Sequence, residues 1–407
     1  MISRERVLRA INHQQPDRAP IDLGATRQSG IAASAYHQLK QRLNIHTPTR
    51  VVDISQFLAE VEQPILDRFG VDAVGVFRPE TNPGLGIRRE NWKPWRLFDG
   101  TPVEVPAGFN PVREKTGDWV LLREGIPIAR MPEGGFYFDL IEDSPALEKS
   151  PGAVHVNLDD YRPHLLTLEE LRAYHARAEA LYQNTDFAIV VPLEPPFQLF
   201  RGMGTGGFEA WLVTLATEPD YVHALMERVT SAWLGNLERL AEAVGERGQI
   251  FQTYDDLGTQ NAPFLSVKMF RELIMPYYKR TFDWIHQNTK WKVLFHSDGA
   301  ICPLIPSLIE MGVDALNPVQ ISAHNMEATR LKQEFGDKLA FWGGACDCQH
   351  TLPFGTPQDV AREVKENVRV LGRGGGYVCA AVHNIQAGVP PENVVALFDT
   401  ARHNSLE

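Results

Sequence analysis

What most constrains this chain is a recurrence. Short apolar runs, several of them closed by a polar side chain, alternate with stretches of helical periodicity. The runs lie near 20–24, 71–76, 188–193, 249–255, 292–296, 313–317, 339–343 and 376–381, eight in all. Such brief apolar segments, bounded by turn residues, fit strands buried on both faces. Parallel strands joined by helices take right-handed crossovers, and eight of them close naturally on themselves. The predicted fold is therefore α/β, a (β/α)8 TIM-like barrel formed as a single domain over 1–407. The competing doubly wound open sheet, in its nucleotide-binding form, needs a glycine-rich phosphate loop after the first strand, and the 20–24 run has none.

Local signals agree with the alternation. Thr167 with Glu170 spells a capping box for a helix running to about 181. Thr356-Pro-Gln-Asp359 opens another helix with a cap residue, an N1 proline and an early acid. Residues 79–160 differ, being rich in Pro, Gly and Trp and poor in helical pattern. Within them Asp118–Leu122 and Ile126–Ile128 read as strands about a Glu124-Gly125 turn. This block is expected to be a β-rich insertion over the barrel mouth.

The composition excludes several classes of function. A formal net charge of -11 argues against nucleic acid or an anionic membrane as the main partner. Runs of about 18 or more apolar residues are absent, as is a basic, then apolar, amino end, so a cytoplasmic location is expected. Four cysteines in 407 residues do not make a disulfide scaffold. Gly202-Met-Gly-Thr-Gly-Gly207 lacks the Lys-Ser/Thr of a P-loop and reads as a loop of close backbone approach. Oligomeric state stays open, a homodimer included.

The chemistry gathers where strands end. His296-Ser-Asp298 has a spacing that puts imidazole and carboxylate on one side of an extended chain. The two could share a metal, or Asp298 could orient His296; a satisfied histidine beside a turn aspartate is the plain alternative. His383 ends the last run, which in a closed barrel lies beside the first, so it can reach the same cavity. At Asp255-Asp256 adjacent side chains face oppositely, and at most one points into the cavity; two close carboxylates can raise one pKa and make a proton donor. Asp347 and Glu194 stand at other strand ends as acid/base or ligand candidates, and Cys346 as a substrate-binding one whose thiolate could complete a metal shell or act as nucleophile. Asn317 and Gln320 are candidate substrate hydrogen-bonders. Loop capping is an adequate account of each carboxylate taken alone.

Several segments together resemble the uroporphyrinogen decarboxylase superfamily: Leu294-Phe-His-Ser-Asp-Gly299, Gly312-Val-Asp-Ala-Leu-Asn-Pro-Val319, Phe341-Trp-Gly-Gly-Ala-Cys-Asp347, Asp255-Asp-Leu-Gly258, Gly374-Gly-Gly-Tyr377 with His383, and Val389-Pro-Pro-Glu-Asn-Val394. The resemblance spans about 1–80 and 165–405. It implies a TIM-like barrel and either tetrapyrrole decarboxylation or zinc-dependent methyl transfer with a corrinoid protein. The arginine-rich amino-terminal signature of the true decarboxylases is reduced here to Arg27 within Ile21-Asp-Leu-Gly-Ala-Thr-Arg-Gln28. The methyltransferase branch binds zinc through His-x-Cys and a later Cys, positions that correspond here to His296, Asp298 and His383.

The sequence expectation is accordingly a metal-assisted methyltransferase. Zinc would sit on His296, Asp298 and His383, with Asp256, Glu194, Asp255 or Asp347 managing protons. A small-molecule methyl donor or acceptor would exchange its methyl group with cobalamin carried by a separate corrinoid protein. The alternative is a cofactor-free decarboxylase or lyase acting on an organic acid or a tetrapyrrole-like substrate. A noncatalytic binding protein on a degenerate barrel is a third class.

Overall fold

The computed structural model describes residues 1–81, 84–141, 158–159, 164–195, 197–199 and 207–404. Seven parallel strands form one curled sheet in sequence order: Ala73–Gly75, Ala188–Pro192, Ile250–Tyr254, Lys292–His296, Ala315–Asn317, Ala340–Trp342 and Tyr377–Val378. Each is followed by at least one helix, so the fold is the expected α/β TIM-like barrel with insertions.

The eighth run, near 20–24, is not a full strand. Its ladder shrinks to a bridge between Ile21 and Cys379. Asp22 N–H donates to Cys379 O (2.8 Å) and Asp72 N–H to Ile21 O (2.7 Å), which ties the segment to both edges of the sheet. Two local features stop it from extending. Pro20 has no N–H to give, and the Asp22 carboxylate turns back to accept from Ala25 N–H at 2.8 Å.

Inside the ring the packing is small and apolar: Ala73, Ala188, Val190, Ile250, Leu294, Ala315, Ala340, Trp342 and Val378 form one buried cluster. Val7 and Ile11 from the helix Ser3–Ile11 join it, so that helix packs against the barrel interior. It is held by Asp72, whose side chain is 0% exposed and pairs with Arg6 (2.6 Å) and Arg18 (2.7 Å).

Between the first strand of the sheet and the helix Leu168–Asn184 lie two antiparallel sheets. Trp92–Arg96 pairs with Pro102–Pro106, and four strands from Val112 to Leu140 form the second sheet. The Glu124-Gly125 turn forms where it was read, with φ of 52° and 81°. Phe98, Phe109 and Phe138 pack edge-on or tilted against Phe57, which fastens this β-rich segment to the barrel. The Gly202–Gly207 run lies outside the described residues apart from Gly207. Among the described residues no helix is long and apolar enough to cross a membrane.

Candidate functional site

His296 closes its strand and is nearly buried, with a side chain 4% exposed. Its ring orientation is set from behind. Asn317 Nδ2 donates to Trp342 O (2.9 Å), which leaves Asn317 Oδ1 as an acceptor, and His296 Nδ1 lies 2.8 Å from that oxygen. Nδ1 must therefore carry the hydrogen, and Nε2 faces the barrel mouth. There it meets two carboxylates, Asp256 Oδ1 and Asp298 Oδ2, each at 3.6 Å. His383 Nε2 stands 3.7 Å from the same Asp298 oxygen, and the two imidazole centroids are 5.6 Å apart.

The loop that carries Asp298 has little freedom. Asp298 N–H donates to Asp256 Oδ1 (3.2 Å), Gly299 N–H to Gln320 Oε1 (2.7 Å), and Leu257 N–H to Ser297 Oγ (3.0 Å). Gly299 adopts φ +96°, and a Cβ there would stand 2.5 Å from the Gly258 carbonyl carbon and oxygen. Only glycine allows the two strand-end loops to touch in this way.

The electrostatics follow from the geometry. Burial works against a charge on His296, but Asp298, Asp256 and the Asn317 hydrogen bond outweigh it and raise its pKa. Burial likewise opposes the Asp298 charge, yet His296 and His383 hold its carboxyl down at about 2. His383 is lowered, chiefly by burial. One ligand atom each from His296, Asp298 and His383 lies within 4.8 Å of the others, so the three form a candidate metal-binding cluster. The donor set, two imidazoles and a carboxylate, suits a borderline divalent ion. Above it a cavity of about 390 Å³ is lined by Asp298, His383, Gly258, Gln320 and Cys348.

The other residues read from the sequence are placed as follows. Asn317 lies beneath His296, and Gln320 braces Gly299 at the cavity wall. Asp255 turns away from its neighbour: it is 0% exposed and accepts from Leu199 N–H (2.7 Å) and Tyr278 Oη (3.3 Å). Burial first, and repulsion from Asp256, push its carboxyl well above the usual range, and its two hydrogen bonds tie it to Leu199 and Tyr278. Asp347 accepts from Gln349 N–H and His350 Nδ1–H, which gives it to its own loop. Cys346 is fully buried, and burial pushes its thiol up. Glu194 faces Arg27 (4.0 Å) and Arg78 (3.9 Å), away from the histidines. The sequence reading passed over Arg78 and Arg89. Arg78 follows the 71–76 run directly, and the strand-end rule applied to Asp256 and His296 would have found it.

Comparisons with known proteins now bear on what the site does. The family model described as Uroporphyrinogen decarboxylase (URO-D) matches residues 155–404. Uroporphyrinogen decarboxylase of Anaeromyxobacter dehalogenans (strain 2CP-C) is 24% identical over 401 residues, covering 97% of each chain. That of Neisseria meningitidis (strain ATCC 700532 / DSM 15464 / FAM18) is 23% identical over 213 residues, 51% of this chain and 56% of the relative. The match thus spans little more than half the length of the Neisseria relative. A methyltransferase from Methanosarcina mazei superposes with a TM-score of 0.53 at 15% identity over 98% of both chains, which is a likeness of fold alone.

These findings overturn the expectation of a corrinoid-linked methyltransferase. That expectation rested on reading His296, Asp298 and His383 as replacements in a zinc motif. The family model and the curated relatives carry the decarboxylase name instead. With methyl transfer goes the reason to expect cobalamin on a partner protein.

Proposed function

The chain belongs to the uroporphyrinogen decarboxylase family, and on that premise we propose that it is a lyase releasing carbon dioxide from an organic acid, a tetrapyrrole-like one included. The observation that carries this reading is the setting of His296 Nε2, backed by Asn317 and facing two carboxylates at 3.6 Å. Decarboxylation consumes one proton: R–COO⁻ + H⁺ gives R–H + CO₂. The departing carboxylate leaves its electron pair on carbon, and that carbon must be protonated. An imidazole whose hold on a proton is strengthened by Asp298 and Asp256 at a cavity floor is suited to deliver that proton. Asp256, with 40% of its side chain exposed, would face the positive charge of a protonated intermediate, and His383 would position the substrate. Asp255, fully buried and accepting from Leu199 N–H and Tyr278 Oη, would brace the strand end beside it.

In place of that proton on His296, a divalent ion such as zinc would be held by His296, Asp298 and His383, and it would supply Lewis-acid polarisation of a substrate oxygen instead. The insertion fits a cover for the mouth, because Tyr137 Oη hydrogen-bonds Gln386, a residue of the cavity wall.

The test is carbon dioxide release by the purified full chain from a panel of mono- and polycarboxylic acids and porphyrinogens. With an accepted acid, His296→Gln should lower kcat by about 10² to 10⁴-fold, the usual yield of a positioned acid. Release that is unaltered in His296→Gln, or absent across the panel, removes the reading.

A further inference from the structure

The run near 20–24 lacks a full ladder, and the residue at its centre turns a carboxylate into the ring. Ile21 and Leu23 pack into the main core, while Asp22 between them is 1% exposed and faces the barrel interior. There Asp22 Oδ2 accepts from Trp342 Nε1–H at 2.7 Å and Oδ1 from Ala25 N–H at 2.8 Å. Trp342 and Ala25 both belong to the small apolar cluster that fills the ring. Burial pushes the Asp22 carboxyl up to about 6, and only hydrogen bonds from Ala25, Trp342 and Ser29 oppose that. A buried carboxylate with no ion pair is costly, and an apolar side chain would serve packing better. Stability alone does not account for it.

Three hydrogen bonds lead from His296 to Asp22, and all run the same way. His296 Nδ1–H donates to Asn317 Oδ1 (2.8 Å), Asn317 Nδ2 to Trp342 O (2.9 Å), and Trp342 Nε1–H to Asp22 Oδ2 (2.7 Å). The direction is fixed, because a carbonyl has no hydrogen to give and an indole nitrogen only donates. Trp342 is the last residue of its strand, and Gly343 and Gly344 follow without side chains, at φ of 110° and 74°. The indole, held at its nitrogen by Asp22, thus sets where the carbonyl of the same residue stands, and that carbonyl orients Asn317. Both Asp22 oxygens accept, one from a backbone N–H and one from an indole N–H. An amide in this place can satisfy only one of the two donors.

We propose that Asp22 is a positioning residue for His296, fixing through Trp342 and Asn317 which imidazole nitrogen faces the mouth. It does not line the cavity beside His383, so it acts on the ring and not on a bound molecule. The effect on the ring is independent of the reaction, whereas the effect on turnover rests on the decarboxylase reading.

The His296 Nδ1–H hydrogen is followed by NMR on the metal-free full chain labelled with ¹⁵N-histidine, at neutral pH, and assigned by its loss in His296→Gln. In the wild type it should be protected from exchange with solvent. Asp22→Asn, and Trp342→Phe, which removes the indole N–H and keeps a ring, should each speed that exchange by about tenfold, the effect of losing one buried hydrogen bond. With an accepted acid, each should lower kcat by about tenfold and leave KM within about twofold, as expected of a group that supports the ring and touches no substrate. The double variant should lose no more than the worse single one, because both changes break one chain of contacts. Should Asp22→Asn fail to fold by circular dichroism, Trp342→Phe, which leaves the carboxylate in place, carries the same expectations. An unprotected Nδ1–H in the wild type, unchanged exchange in both variants, undiminished kcat despite altered exchange, or additive losses in the double variant overturns the positioning role. Altered exchange with no carbon dioxide release from any acid defeats only the lyase reading.

Discussion

At the scale of single residues, the reach of Asn317 is longer than its size. By donating to Trp342 O it presents an oxygen to His296 Nδ1, and that one contact decides which ring nitrogen faces Asp256 and Asp298. Asn317→Ala should therefore lower activity by about tenfold or more with the fold intact, checked by kcat against a panel substrate and by circular dichroism. The charges here also predict a pH dependence in metal-free protein. His296 has its folded pKa raised, so its contribution to stability is complete below the unfolded value and is lost as pH rises through the raised one. Asp298, held down at about 2, contributes above the unfolded carboxylate value and loses this as pH falls through about 2. Denaturation midpoints of the wild type and His296→Gln, followed across pH, should converge on the alkaline side. A gap that widens with rising pH contradicts the arrangement. The alkaline limb of kcat should likewise lie above the ordinary histidine range.

The elements around the site owe their positions to contacts between distant segments. Gly299 and Gly258 let two strand-end loops meet, and Gly299→Ala would force a Cβ to within 2.5 Å of backbone while straining φ at +96°. That substitution should shift Asp298 and depress activity more than Asn317→Ala does, with a lowered melting temperature as the accompanying sign. At the opposite end, Asp72 fixes the first helix through Ser3 and Arg6, and the segment after it through Arg18. Asp72→Ala leaves Arg6 with Asp17 but deprives Arg18 of its carboxylate partner, and should destabilise the fold by about 3 kcal/mol, read from the urea midpoint. Much of this level was legible in advance. The capping box at Thr167 and Glu170, the Pro-led helix after Thr356 and the Glu124-Gly125 turn all formed as read, because each is decided by contacts within a few residues. The 20–24 run was not: whether a short extended segment keeps a full ladder depends on neighbours some fifty and several hundred residues away, Asp72 and Cys379.

For the whole molecule, metal content is the most economical measurement. If His296, Asp298 and His383 hold zinc, elemental analysis should give about one ion per chain in wild type and a clear loss in His383→Ala protein that stays folded. A chain that releases carbon dioxide at an undiminished rate after chelation would assign the cluster to proton handling alone. The earlier inference of methyl transfer failed at this scale. It read chemistry from residue replacements in a motif, whereas the family match over 155–404 spans six of the seven strands of the sheet.

From the residues alone one could determine the alternation of strand and helix, the closed α/β architecture and the clustering of polar side chains at strand ends, since periodicity and turn chemistry are local and survive in one dimension. The tertiary structure alone decided which of those side chains share a cavity. It turned Asp256 outward and Asp255 inward, sent Glu194 to the arginines, and put Arg78 and Arg89 in the wall of one cavity although they lie eleven positions apart. Distance between side chains is a property of the closed ring, and no spacing along the chain encodes it.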